Sequence, residues 1–156
     1  MIRFSLILLS LFSLMGELAM SAEHNATQQV KNLSYTRIYI DDEGNSHFSG
    51  EEIPMTLAGY AMPGPKVGLS TTYDASSLTF FSAPPGLFAD WHIAIRKQFL
   101  FHLSGISEIT VSDDEVRRFV RGDIVLVEDT TGQGHIARVI GEEDVVIAAV
   151  PAIVDE

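Results

Sequence analysis

The sequence predicts an all-β domain, of either the sandwich or the barrel type. Short runs rich in β-branched and aromatic residues recur roughly every 8–12 residues with turn-forming residues between them, which is typical of such folds. One of these runs, residues 108–112, alternates polar and apolar side chains, as a half-buried strand does. After residue 21, no window of about 11 residues keeps the period of about 3.6 residues that an amphipathic helix requires.

Turn signals separate the predicted strands. The first strand runs into the turn cluster of residues 41–45, the second stops at Pro84-Pro85-Gly86, and Asp113-Asp114 form a hairpin turn. Residues 58–68 are rich in glycine and proline, so we predict a loop there, and a second loop over residues 83–91. The predicted strands are residues 35–40, 78–81, 98–104, 107–112, 116–119, 124–127, 135–140 and 145–150.

The N-terminus has the pattern of a secretory signal peptide. Arg3 precedes an apolar run over residues 4–15, and Ala19-Met20-Ser21 places small residues before a cleavage site. The run is shorter than the about 20 residues that a transmembrane helix needs. We therefore predict a signal peptide (1–21), a flexible leader (22–34) and a single domain (35–156), in a protein that is secreted or periplasmic and leaves the membrane after cleavage.

Composition limits the partners. Of the 156 residues, 10 are Lys or Arg and 21 are Asp or Glu, which gives a formal charge of −11. The excess of acidic over basic residues excludes a nucleic-acid partner, because phosphate binding depends on basic side chains. The chain contains no cysteine, which excludes disulfides, thiolate nucleophiles and iron–sulfur clusters. The expected partner is a small molecule held inside the fold.

Two stretches resemble the motifs of the cupin superfamily. Residues 86–105 keep the frame of the first motif, G-x5-H-x-H-x3-E-x6-G, and residues 121–135 resemble the second, in which a P-G-D turn leads into a strand and a histidine. Leu103-Ser104-Gly105 and residues 128–135 are similar to a subgroup of small single-domain cupins. The resemblance covers roughly residues 75–150. It implies a double-stranded β-helix, or jelly-roll barrel, often found as a homodimer.

The resemblance also implies a metal site, from which this sequence departs. A complete cupin site presents three histidines and one glutamate to a divalent metal. Here His92 and His135 keep the first and last positions, whereas Ala94 and Gln98 stand in the other two. Two imidazoles and a neutral carboxamide are a weaker set of ligands for a divalent cation. One hypothesis therefore places one divalent metal (Fe, Mn, Ni, Cu or Zn) on His92, Gln98 and His135, with Glu128 or Asp129 as a further carboxylate if its loop turns inward.

Three other side chains near the motifs are candidates for the site. His102 shares strand parity with Gln98, so it is expected to face the interior behind the site residues. Arg96 shares parity with His92 and would pair with an anionic substrate or with Glu128. Trp91 either plugs the mouth of the barrel or offers a ligand a stacking surface. His24 and His47 are expected to be exposed to solvent.

Three functions follow. In the first, an enzyme of the isomerase, dehydratase or lyase type uses His92 and His135 as general acid and base, Gln98 as a hydrogen-bond donor to a substrate oxygen, and Arg96 to orient an acidic group. In the second, a metal on the altered site performs oxidative or other metal-assisted chemistry. In the third, the domain binds a small ligand without catalysis.

Overall fold

The computed structural model describes residues 30–61 and 63–152, and the prediction of an all-β fold is confirmed for them. The predicted signal peptide and His24 lie outside the described residues. No helix in this part of the chain is long and apolar enough to cross a membrane. The strands are β1 (Leu33–Ile40), β2 (Ser46–Ile53), β3 (Thr56–Gly59), β4 (Lys66–Leu69), β5 (Thr79–Ala83), β6 (Phe88–His92), β7 (Gln98–Ser104), β8 (Ile106–Thr110), β9 (Val116–Phe119), β10 (Ile124–Val127), β11 (His135–Ile140) and β12 (Val145–Pro151).

These strands form two large sheets and a separate hairpin. The six-stranded sheet has the order β2-β1-β10-β7-β12-β5, the four-stranded sheet has the order β6-β11-β8-β9, and β3 pairs with β4. The only parallel pair within the described residues is β1 with β10. The two large sheets are not joined edge to edge by hydrogen bonds, so the predicted closed barrel is replaced by a sandwich-like arrangement of open sheets.

The last eight strands are paired in a nested order. β5 pairs with β12, β6 with β11, β7 with β10, and β8 with β9. Strands from the two ends of this segment are therefore neighbours, and each sheet contains both early and late strands. As a result, residues around position 92 lie beside residues around position 135.

A single apolar core lies between the two large sheets. Ile38, Val125 and Val127 contribute from the six-stranded sheet, and Ile109 and Val139 contribute from the four-stranded sheet. All five of these residues are β-branched, and such side chains pack well on a pleated surface. In β10, Val125 and Val127 are both fully buried, as the period of two residues requires for an inward face.

Several strand predictions are confirmed and four strands were missed. β7, β9, β10 and β11 have the predicted bounds, and Asp114 adopts a positive φ of 66° in the predicted hairpin turn. β2 was not predicted because it is largely polar and only Phe48 of its apolar residues is buried. β3, β4 and β6 are short and mostly exposed, so they lack the alternation of burial that identifies a strand.

Candidate functional site

A cavity of about 270 Å³ lies between the two sheets. Its wall is mostly apolar, and the exposed residues among those that line it are Phe81, Leu87, His92, Ile93, Ile95 and Arg138. Such a cavity is at the lower end of the size range of small-molecule sites, roughly 300–1,000 Å³. The polar side chains that line it are His92, Gln98, His102, Ser107, His135 and Arg138.

The structure brings together three of the four predicted site residues. His92, Gln98 and His135 all line the cavity, and so does His102. They come from β6, β7 and β11, which belong to both large sheets. Arg96 is exposed in the segment between β6 and β7 and is not part of the cavity wall, so its role toward a substrate stays a prediction.

His135 is held by a buried carboxylate. Its Nδ1 lies 2.5 Å from Oδ2 of Asp129, whose side chain is completely buried. In its ionised form the carboxylate only accepts hydrogen bonds, and Nδ1 of His135 is then the donor. Nε2 then keeps its lone pair, and among the described residues it has no hydrogen-bond partner. Asp129 and His135 thus form a carboxylate–imidazole pair. The free nitrogen of this pair is Nε2 of His135, whose ring lines the cavity.

His92 is fixed in the same tautomer by a different partner. Its Nδ1 lies 2.7 Å from the backbone carbonyl oxygen of Asp90, and this oxygen can only accept a hydrogen bond. His92 is the cross-strand neighbour of His135, and the two ring centroids are 4.4 Å apart. The two imidazoles therefore each keep an unprotonated Nε2 in their neutral forms, side by side at the cavity wall.

Glycine is required at the residue that precedes His135. Gly134 has a φ of +74°, and a Cβ at this position would overlap the backbone carbonyl of His92. The strand pairing is also irregular here, with a register shift between His135 and Ala137. Bulges of this kind redirect side chains and are common near functional sites. The close approach of β6 and β11 thus depends on the missing side chain of Gly134.

Two serines, of which Ser46 is fully buried and Ser112 is half-buried, support the backbone before His135. The Oγ of Ser46 donates to the carbonyl of Gly134 at 2.5 Å and lies 3.0 Å from the Oγ of Ser112. The backbone amides of Ser46 and Ser112 each donate to the hydroxyl of the other serine at 2.9 Å. The start of β2 therefore supports the backbone next to His135.

Gln98 begins β7 and faces the same side as Leu100 and His102. The three residues are spaced by two, and all line the cavity. The inward orientation predicted for His102 is confirmed: it is 2% exposed, and its Nε2 lies 2.9 Å from the Oγ of Ser107. Burial lowers the pKa of His102, although the carboxylate and backbone carbonyl of Asp123 act in the opposite direction.

Glu128 and Asp129 point to opposite sides of their strand end. Glu128 forms ion pairs with Arg37 and Lys97, not with Arg96 as the sequence suggested. Burial raises the pKa of Glu128, but the hydrogen bonds from Lys97 and Arg37 outweigh it and keep the pKa below its ordinary value. Only Asp129 turns inward, and it contacts His135 rather than the cavity.

The residues present do not fit the four-ligand metal centre of the cupin pattern. Ala94 is buried in the cavity wall at the position of the second histidine, and it offers no donor atom. The Oδ2 of Asp129 is occupied by His135. Within the described residues, no group of three or more His, Asp or Glu side chains is arranged to hold a metal ion. The set of His92, Gln98 and His135 stays a hypothesis for metal binding.

Two other predictions for aromatic residues are corrected. Trp91 is 38% exposed and does not line the cavity, so in the described structure it neither plugs the site nor offers a stacking surface inside it. His47 is not simply exposed, since its ring bridges Asp41 and Asp113 at 3.0 and 2.9 Å. The hydrogen bonds with these two aspartates raise the pKa of His47.

Comparison with protein-family models and with curated proteins finds no match to this chain. Among solved structures, the chain is similar to the crystal structure of a conserved protein of unknown function from Streptococcus pyogenes. The two are 21% identical, the match covers 53% of this chain and 69% of the other, and the TM-score is 0.38.

Proposed function

We propose that residues 35–156 form a small cupin domain with jelly-roll topology. The support is the nested pairing of β5 with β12, β6 with β11, β7 with β10 and β8 with β9, because a jelly roll is a long antiparallel hairpin rolled into two sheets. The two cupin-like stretches of the sequence supply the strands that carry His92, Gln98 and His135. β1 and β2 extend the six-stranded sheet beyond these eight strands.

We further propose that the cavity catalyses proton transfer on a small uncharged molecule that contains a carbonyl or hydroxyl group. The observation that carries this proposal is the buried Asp129–His135 pair beside His92. The reaction type would be isomerisation, dehydration or lyase chemistry. An unperturbed imidazole titrates at about pH 6.5, so a pair of imidazoles supplies both a base and an acid near neutral pH.

In this mechanism His135 is the base. Its Nε2 takes a proton from the substrate carbon next to a carbonyl, and the Asp129 carboxylate stabilises the imidazolium that forms. His92, entering the step protonated, donates its Nε2 proton to the substrate oxygen or to a leaving hydroxyl group. Gln98 donates a hydrogen bond from its carboxamide to the oxygen on which negative charge develops.

The apolar wall determines which substrates fit this chemistry. Arg138 is the only charged side chain on the wall, and its guanidinium is bound by Glu108. A substrate anion would thus have no unpaired Lys or Arg to meet among the described residues of the cavity, and protonated His92, the one cation of the mechanism, loses its charge when it gives up its proton. An uncharged substrate is favoured, because burying an unpaired charge is costly.

Deuterium exchange tests the proposal without knowledge of the natural product. A panel of small ketones and hydroxyketones is incubated in D2O with the protein purified without a histidine tag, and NMR follows the loss of the protons next to the carbonyl. We expect exchange above the buffer rate for some members, with loss in His135→Ala. His47→Gln is the matched control, since it removes a histidine outside the cavity, and it should keep the exchange.

Three outcomes would contradict proton transfer by His135. Exchange that persists in His135→Ala places the activity elsewhere. Stabilisation by a panel compound without any exchange favours the binding module. About one equivalent of Fe, Mn, Ni, Cu or Zn by elemental analysis, lost in His135→Ala, favours the metal-dependent alternative.

A further inference from the structure

The cavity has a second polar end, formed by His102 and Ser107, which the proposed chemistry does not use. Both residues are buried, and both line the cavity. On β7, Gln98 and His102 face the same side with Leu100 between them. Four residues of strand at about 3.3 Å each separate their Cα atoms by about 13 Å.

The four-stranded sheet gives the same distance between the two polar ends of the cavity. On β11, His135 and Val139 are also four residues apart, which is again about 13 Å. Val139 is the cross-strand partner of Ser107. Ser107 therefore lies beside His102 at one end of the cavity, and His135 lies beside His92 and Gln98 at the other.

An apolar belt separates the two polar ends. On the inward faces of the strands it contains Leu100, Ile109, Ala137 and Ile147. None of these side chains offers a hydrogen bond. A ligand that fills the cavity must therefore be apolar in its middle section.

The far end can still form hydrogen bonds. A serine hydroxyl has one donor hydrogen and two acceptor lone pairs, and the contact with Nε2 of His102 uses one of these three. The Nδ1 atom of His102 is buried without a hydrogen-bond partner among the described residues. The hydroxyl of Ser107 therefore keeps hydrogen-bonding capacity that an oxygen group of a ligand in the cavity can use.

We propose that the cavity takes a short, uncharged molecule with an oxygen function at each end of an apolar skeleton. The oxygen at the far end is anchored by Ser107 and His102, and the reacting end lies at His92, Gln98 and His135. The assignment of a reacting end rests on the proposed function, whereas the two-ended binding does not. The volume of about 270 Å³ restricts the ligand to a short chain or a single ring.

Binding of 1,6-hexanediol and 1-hexanol to the full chain tests the anchor. The two probes share their carbon skeleton and differ in one hydroxyl group. We expect the wild type to bind the diol about five-fold more tightly in NMR titrations, since one net hydrogen bond has this effect. The ring nitrogens of His102 should shift with the diol, because one of its hydroxyl groups reaches this end in either orientation.

Substitutions at one position identify the residue responsible. Ser107→Ala should remove the preference for the diol, and Ser107→Thr, which keeps a hydroxyl, should retain it. Ser49→Ala is the matched control, because Ser49 lies on β2 and does not line the cavity. Equal binding of the two probes by the wild type, no saturable binding of the diol, or a diol preference that survives in Ser107→Ala would each overturn the proposal.

The deuterium-exchange assay separates this inference from the proposed function. Exchange that continues while the diol preference is absent refutes the anchor alone. A diol preference that depends on Ser107, in a protein without exchange activity, supports the anchor and refutes the proton-transfer function.

Discussion

Replacing Asp129 by asparagine should inactivate the site while leaving its shape in place. Asp129 is completely buried, and its carboxylate is the hydrogen-bond partner of Nδ1 of His135. The Asn carboxamide has nearly the same size, but its NH2 group can donate to Nδ1. His135 would then carry its proton on Nε2 and lose the lone pair that faces the substrate.

The expected loss follows from the strength of this contact. A hydrogen bond to a charged group contributes about 1.5–3 kcal/mol, and each 1.4 kcal/mol corresponds to about a ten-fold change in rate. Losing the stabilisation of the imidazolium alone therefore slows exchange by about 10- to 150-fold. The change of tautomer adds to this, so Asp129→Asn should fall at or beyond the upper end of the range.

The assay is deuterium exchange on the same ketone panel, combined with an imidazole ¹H–¹⁵N spectrum that reports the tautomer of His135. Glu128→Gln is the matched control, because the carboxylate of Glu128 is next to Asp129 in sequence but points away from the cavity toward Arg37 and Lys97. The control should keep its exchange rate. An exchange rate in Asp129→Asn within about three-fold of the wild type would refute the role of the carboxylate.

Two further predictions concern stability. Gly134→Ala should lower the free energy of unfolding by at least about 2 kcal/mol, because the residue has φ of +74° and the new methyl group would overlap the carbonyl of His92. Gly50→Ala is its control in urea denaturation, since no atom lies within 4 Å of the added Cβ; equal midpoints for both variants would contradict the packing argument. His47 has a raised pKa in the folded state because of its hydrogen bonds with Asp41 and Asp113, so its contribution to stability should be complete below its ordinary pKa and lost as pH rises through the folded value. The urea midpoint of His47→Gln should therefore be below that of the wild type at pH 5.5 and approach it at alkaline pH; a difference that does not change with pH would argue against this.

The strands that could be predicted from sequence are those in which local pattern and burial agree. β7, β10 and β11 are dense in β-branched or aromatic residues and end at turn residues, so their bounds followed from the sequence. β2 forms because the turn at residues 41–45 folds it back along the whole of β1. This pairing with β1, and not an apolar pattern of its own, makes it a strand.

The same distinction between local pattern and pairing explains which site residues could be predicted from the sequence. His92, Gln98 and His135 were found because the motif spacing reflects positions on strands. Arg96 does not line the cavity with them, because strand parity does not continue through the irregular segment between β6 and β7. Asp129 could have been chosen over Glu128 by extending the inward alternation of Val125 and Val127 by two residues. Its contact with His135 depends on the turn that follows, which sequence patterns do not specify.

The nested pairing has a consequence for how the chain folds. The partner of β6 is β11 and the partner of β5 is β12, so the first strands of the eight find their neighbours only after nearly the whole chain is present. Closing such long loops before any compensating contact forms is entropically costly, and folds dominated by non-local strand pairs fold slowly, in about milliseconds to seconds. A nascent chain released before residue 135 would hold β5 and β6 as unpaired edges. We expect such fragments to aggregate, and the histidine pair to be among the last parts of the molecule to assemble.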